Sequence, residues 1–90
     1  MDRGKPALHA QVRYTTVKDE GILIAQDEGE VHIVSEVAAF LLPLLDGSLT
    51  VESLIEKVVD AYEVDGGTAR NDVTAFLDAL ETKNLLTYVP

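Results

Sequence analysis

Ninety residues without a cysteine leave room for one modest core and exclude disulfides, iron–sulfur ligation, thiolate zinc sites and a cysteine nucleophile. Sixteen acidic side chains against seven scattered basic ones give a net charge of −9, a poor match to a phosphate backbone and a better one to a peptide, a protein surface or a basic ligand. The apolar share of 47% is that of a packed chain, so wholesale disorder is excluded as well.

Residues 1–10 carry Gly4 and Pro6 and show no periodicity, which predicts a flexible N-terminal arm. The arm lacks the apolar stretch of a signal peptide, and no run in the chain approaches membrane-spanning length; the expected location is the cytoplasm, with no membrane partner. From Gln11 to Val17 the β-forming run QVRYTTV places Val12, Tyr14 and Thr16 on one side. A turn is expected at Lys18–Gly21, a short apolar strand at Gly21–Gln26, and a second turn at Asp27–Gly29 with Gly29 at positive φ. Glu30–Val34 follows as the third strand of a small antiparallel meander.

Helical chemistry takes over at Ser35, an N-cap followed by Glu36 where the helix dipole favours an anion. Val37, Phe40, Leu41, Leu44 and Leu45 have the spacing of a buried stripe, and Pro43 within it predicts a kink or a tightened last turn. Gly47 supplies the left-handed stop. Thr50 caps a second helix whose apolar face is Val51, Leu54, Ile55, Val58, Val59 and Tyr62. Asp65-Gly66-Gly67 reads as a break, with Thr68 capping a third helix on the stripe Ala69, Val73, Phe76, Leu77 and Leu80. Asn84 is suited to a positive-φ stop. Leu85–Val89 is expected either to extend the sheet or to pack as a tail. The sum is an α+β fold, winged-helix-like, with a three-stranded antiparallel sheet followed by three helices.

Nothing in this pattern assembles a nucleophile, a base and a charge stabiliser, so no enzyme and no catalytic residue is predicted. His9 and His32 lack paired-ligand spacing, and no metal or cofactor is expected. The acidic pairs Asp19/Glu20 and Asp27/Glu28 fall in turns and read as solvated. Asp46-Gly47-Ser48-Leu49 superficially resembles the phosphopantetheine-bearing serine motif of acyl carrier proteins. Gly47 interrupts that motif, however, and a β-rich first third does not suit a four-helix carrier. These features point to a binding module.

The run from Val31 to Leu86 resembles the PqqD-like family, the recognition elements for precursors of ribosomally made, enzymatically modified peptides. The resemblance is carried by Leu44-Leu45-Asp46-Gly47, by Thr50 through Tyr62 and Glu63, and by Asp72-Val73, Phe76-Leu77, Leu80 and Leu85-Leu86. Two departures stand out: Ile33-Val34 where the pyrroloquinoline-quinone branch often has Leu-Asn, and Asn84 where it has glycine. Leu41-Leu42-Pro43-Leu44-Leu45-Asp46-Gly47 is closer to the recognition domains of cyclodehydratase systems. The resemblance implies one PqqD-like peptide-recognition domain over 11–90 that binds a leader peptide without catalysis and presents it to a modifying enzyme, such as a radical SAM protein, a cyclodehydratase or a leader protease.

The leader would add as a strand along Glu30, Val31, His32, Ile33 and Val34 and lean on the flank of the third helix formed by Asp72, Phe76, Ala79 and Lys83. Phe76 is the expected anchor, against the plainer reading of a core aromatic; the opposite flank, Arg70, Thr74, Leu77 and Glu81, is the competing wall. His32 is either a surface strand residue or a polar contact in that slot. Three further expectations stand beside this one. A winged-helix nucleic-acid or transcription module shares the helix count but not the charge. The chain could serve as the first domain of a larger peptide-modifying enzyme. An uncovered strand edge invites pairing with a second copy, which makes a dimer one expected assembly.

Overall fold

The computed structural model describes residues 4–17, 20–25 and 29–90. Within them the chain runs β1 (Lys5–Leu8), β2 (Val12–Val17), β3 (Glu20–Ala25), β4 (Glu30–Val34), α1 (Glu36–Leu41), a 3-10 turn at Leu42–Leu44, α2 (Val51–Tyr62), α3 (Gly66–Thr82) and β5 (Leu86–Val89). The expected α+β architecture is present, with β2, β3 and β4 forming an antiparallel sheet that has β3 at its centre. Of the turn expected at Lys18–Gly21, Glu20 and Gly21 instead begin β3, and residues 18–19 lie outside the described residues, as do 27–28 of the turn expected at Asp27–Gly29. Gly29, at the end of the second, has the positive φ its sequence suggested, at 69°.

Alternation along β3 sets the layering. Gly21, Leu23 and Ala25 are buried towards the helices, and Ile22 and Ile24 point to the opposite face. α1 crosses the inner face of β3 closely because residue 21 has no side chain: a Cβ there would stand 2.9 Å from that of Ala39 and 2.8 Å from Cγ2 of Val34. Register places Gly21 opposite Val34 and Leu23 opposite His32, so Glu30, His32 and Val34 share the helical face while Val31 and Ile33 face away.

The helix boundaries follow local chemistry. Ser35 Oγ accepts from the Ala38 amide at 3.3 Å, and Thr50 Oγ1 from the Ser53 amide at 3.2 Å, each satisfying an otherwise orphaned donor. At Pro43 the chain tightens into the 3-10 turn, which carries Leu42 inward to 1% exposure, a core position the α-helical spacing did not pick out. Asn84 takes a φ of 61° just past α3 and ends it as expected; Gly47 has the expected positive φ, 81°, but the helical turn has already ended at Leu45, two residues earlier, and the Gly47 amide donates to Pro6 of β1. The third helix needs a correction. Asp65, not Thr68, is its N-cap, its carboxylate accepting from the Thr68 amide at 2.8 Å, and Gly66 and Gly67 form the first turn instead of a break. α2 and α3 pack on one another, and Leu54, Ile55, Val58, Val73, Leu77 and Leu80 join Leu23, Leu41 and Leu45 in one buried cluster. The edge-to-face contact of Phe40 with Tyr62, at 5.5 Å between ring centres, ties the end of α2 to α1.

The second correction concerns both ends of the chain. Residues 5–8, expected inside a flexible arm, form β1, which pairs antiparallel with β5 from Lys5 opposite Val89 to Leu8 opposite Leu86. Proline is tolerated because this is a two-stranded ribbon: Pro6 is buried, and its carbonyl accepts from the Gly47 amide at 3.1 Å. The Leu8 amide bonds the Leu45 carbonyl, and the His9 amide bonds Leu85, each at 3.0 Å. The last segment therefore pairs with the first and does not extend the three-stranded sheet.

Candidate functional site

β4 pairs with β3 on one side only, and no described strand takes the other. A five-residue rim of backbone donors and acceptors, Glu30 to Val34, is thus left at the sheet edge. Beside its C-terminal end lies a groove of about 490 Å³ lined by Val34 from β4, by Ser35, the N-cap of α1, and Val37, Ala38 and Leu41 along that helix, and by Asp72, Ala75 and Phe76 from α3. That space suits one or two large side chains. Its floor is apolar, and Asp72, an exposed residue, supplies a carboxylate among the lining groups.

The elements that build the groove are held by different means. Val34 is fixed by the β3 pairing, α1 by its Ser35 cap and its approach over Gly21, and α3 by the burial of Val73, Leu77 and Leu80 on the far side of the same helix. Phe76 is half-buried: it packs against the core and lines the groove as well, so the packing and binding readings both describe it.

Of the residues singled out from sequence, Val34, Asp72 and Phe76 meet in this groove. Glu30, Val31, His32 and Ile33 form the rim that leads to it. The His32 side chain lies on the helical face, half-buried, with Nε2 at 3.8 Å from a Glu30 carboxylate oxygen. Val31 and Ile33 turn their side chains away, 61% and 73% exposed. Ala79 and Lys83 are exposed on α3, one and two turns past Phe76, and are not among the groove's lining residues.

The competing flank is otherwise engaged. Leu77 is core at 1% exposure, Arg70 pairs with Glu52 of α2 at 2.9 Å, and Thr74 donates its hydroxyl to the Arg70 carbonyl of its own helix. The Glu52 hydrogen bond and charge raise the Arg70 pKa. Sequence reasoning passed over Ser35, Ala38 and Ala75 as site residues; what marks them is small size opposite an aromatic, and that signal needs the facing helix to be known.

Ser48 does not occupy the position of a carrier serine. It follows the 3-10 turn in an exposed loop, where its hydroxyl and amide both donate to Asp46, and those two bonds hold the Asp46 carboxyl below its usual pKa. Among the described residues no helix is long and apolar enough to cross a membrane.

The family model for coenzyme PQQ synthesis protein D (PqqD) matches residues 20–86. A PqqA binding protein of Rhodopseudomonas palustris strain BisB5 is 28% identical over 88 residues, covering 96% of this chain and 84% of that protein. Among solved structures, TbiB1 in complex with the TbiA(beta) leader peptide superposes with a TM-score of 0.80 at 25% identity, over 93% of this chain and 98% of that one. The PqqD part of Methylobacterium extorquens PqqCD, described as a stand-alone recognition element for ribosomally synthesised and post-translationally modified peptides, gives 0.74 at 24% identity, over 90% and 86%.

Proposed function

Because the chain belongs to the PqqD family, we propose that it binds the leader segment of a ribosomally made precursor peptide and presents it to a modifying enzyme, without catalysing a reaction itself. The carrying observation is that β1 and β5 pair with each other, which leaves the β4 rim open beside the α1–α3 groove. An extended peptide adding to Glu30–Val34 would gain backbone hydrogen bonds that tolerate sequence, while every second side chain, facing the helices, meets His32, Val34 and the groove. Phe76 and the aliphatic wall of Val37 and Leu41 receive an apolar leader side chain, and Asp72 accepts from a leader donor. Ala79 and Lys83 continue the wall along α3. Residues 11–90 act as one recognition domain, with β1 as a brace, in the cytoplasm where precursors are translated. The names of the relatives support this reading: one binds PqqA, and TbiB1 was solved with a leader peptide.

A nucleic-acid role is less well served. α3 exposes Asp72, Asp78 and Glu81, and its Arg70 is already paired with Glu52.

The test is a peptide from the leader segment of a candidate precursor found by its affinity for this chain, in which backbone amides are N-methylated one at a time. Strand addition predicts an alternating pattern. In-phase positions lose about tenfold or more in affinity, since each removes a hydrogen bond and adds a clash, and out-of-phase positions lose little. A flat profile would show that only side chains are read and would overturn the strand-addition mechanism.

A further inference from the structure

The outer face of the three-stranded sheet is apolar where a solvated face normally alternates to polar. Ile22 and Ile24 of β3 stand on it, paired across the strands with Ile33 and Val31 of β4. On β2 the face carries Arg13 and Thr15 beside Ile24 and Ile22, and Val17 at its end, 54% exposed; Val31 and Ile33 are more exposed still. Among the described residues Arg13 and Glu20 are the charges on this face, whereas the helices carry Glu52, Glu56, Asp60, Asp72, Asp78 and Glu81 in exposed positions. Of the sixteen acids in a chain of net charge −9, Glu20 is the one that the described residues place on this side of the sheet. Contiguous exposed apolar surface of this kind marks an interaction site.

We infer that this face, formed by Val17, Ile22, Ile24, Val31 and Ile33, docks the enzyme that acts on the bound peptide, and that the leader itself completes it. The inference rests on the leader reading above. A strand added to β4 continues the sheet, so alternate leader side chains fall on the outer face next to Val31 and Ile33 while the others enter the groove. The apolar face therefore widens when the peptide is present. An enzyme whose complementary surface is apolar distinguishes the loaded domain from the empty one without any movement in the fold. The occupant is a partner protein and not a second copy, because pairing of two such faces would gain nothing from the leader and would join two chains of net charge −9. Continuity of the face with the β4 rim is what ties the partner to the peptide.

The test uses substitutions away from the leader rim. Ile22→Thr with Ile24→Thr keeps β-branching in the central strand but makes the face polar. Val17→Lys charges its far margin and touches no core side chain, and so serves if the double variant is less stable. Three quantities are read on each: affinity for the same candidate leader, fluorescently labelled, sedimentation of the free protein, and the amount of modified peptide by mass spectrometry after exchange of the gene in the source organism. The expected result is leader affinity within about twofold of the starting protein, monomers throughout, and modified peptide reduced about tenfold or more, the fold-change that loss of one good contact gives. Undiminished modified peptide overturns the inference. So does a starting protein that sediments as a dimer and variants that sediment as monomers, since the face would then belong to a second copy. A parallel loss of leader affinity would assign these side chains to the leader site itself. If the starting protein binds no leader, the leader reading fails first, and that is seen before any variant is made.

Discussion

Gly21→Ala tests whether the close approach of α1 to β3 shapes the groove. The added methyl would lie 2.8 Å from Val34 Cγ2, 2.9 Å from Ala39 Cβ and 3.2 Å from Ala39 Cα. Carbon atoms rest at about 3.5–4.0 Å, so α1 and the end of β4 would each have to give by several tenths of an ångström. Overpacking of this kind costs about 1–3 kcal/mol. At a urea slope of about 1 kcal/mol per molar, typical of a small domain, the unfolding midpoint should fall by about 1–3 M, followed by far-UV circular dichroism. Both displaced neighbours sit at the groove, Val34 within its lining and Ala39 beside Ala38, so leader affinity should fall in the folded fraction as well. Ala39→Gly in the same chain removes one of the two methyl contacts, and the double variant should be less destabilised than the sum of the singles. A midpoint within about 0.5 M of the starting protein, or strict additivity in the double variant, would refute the reasoning.

Two predictions concern single side chains. Phe76→Ala should weaken leader binding by about tenfold or more, a hot-spot effect by titration calorimetry, in a protein that still unfolds cooperatively; unchanged affinity would return Phe76 to the core alone. Asp65 governs an acid limb. Its carboxyl is held below the ordinary aspartate range by the Thr68 amide and then the Thr68 hydroxyl, so the folded state binds that proton less readily than the unfolded chain does. The cap's contribution is present above the unfolded value, about pH 4, and is lost as pH falls through the lowered folded value. Asp65→Asn keeps an acceptor that does not titrate, so its urea midpoint should decline less steeply with acid; parallel declines would show that the cap is not the titrating element.

What could be read from sequence divides by range. The caps at Ser35 and Thr50 and the stop at Asn84 are decided within four residues, by local chemistry that operates in any fold, and all three stand where that chemistry puts them; Gly47 takes its positive φ, but the turn ends earlier, at Leu45, and Gly47 bonds β1 instead. Asp65 and Thr68 are both good caps three residues apart, and the glycines between them looked like a break; the choice fell to Asp65 because its carboxylate reaches both the amide and the hydroxyl of Thr68. The β1–β5 ribbon was not legible. Strands of four residues carry almost no period, and the pairing joins segments about eighty positions apart, with Pro6 weighing against a strand on local grounds. The groove was half legible. Phe76 and Asp72 announce themselves by residue type, but Ala38 and Ala75 contribute by leaving space, and an absence of bulk has meaning only against the opposite wall.

That ribbon also bears on how the domain tolerates an open edge. A free strand rim is a template for any extended chain, including the protein's own ends and other copies of itself. β1 and β5 are removed from competition by pairing with each other and by the bonds that tie the first of them to Leu45, Gly47 and Leu85, so neither strand can fold back onto β4 without dismantling that ribbon. Other copies are opposed by charge: each carries −9, and the acids ring the helices that flank the rim, Asp72 among them. Screening at physiological salt confines that repulsion to about 8 Å, so it acts through the acids nearest the rim, Glu30 and Asp72. A neutral or basic peptide meets no such barrier. The same acidic excess that keeps the rim from pairing with itself therefore leaves it open to a foreign strand, and the selectivity begins before any pocket is filled.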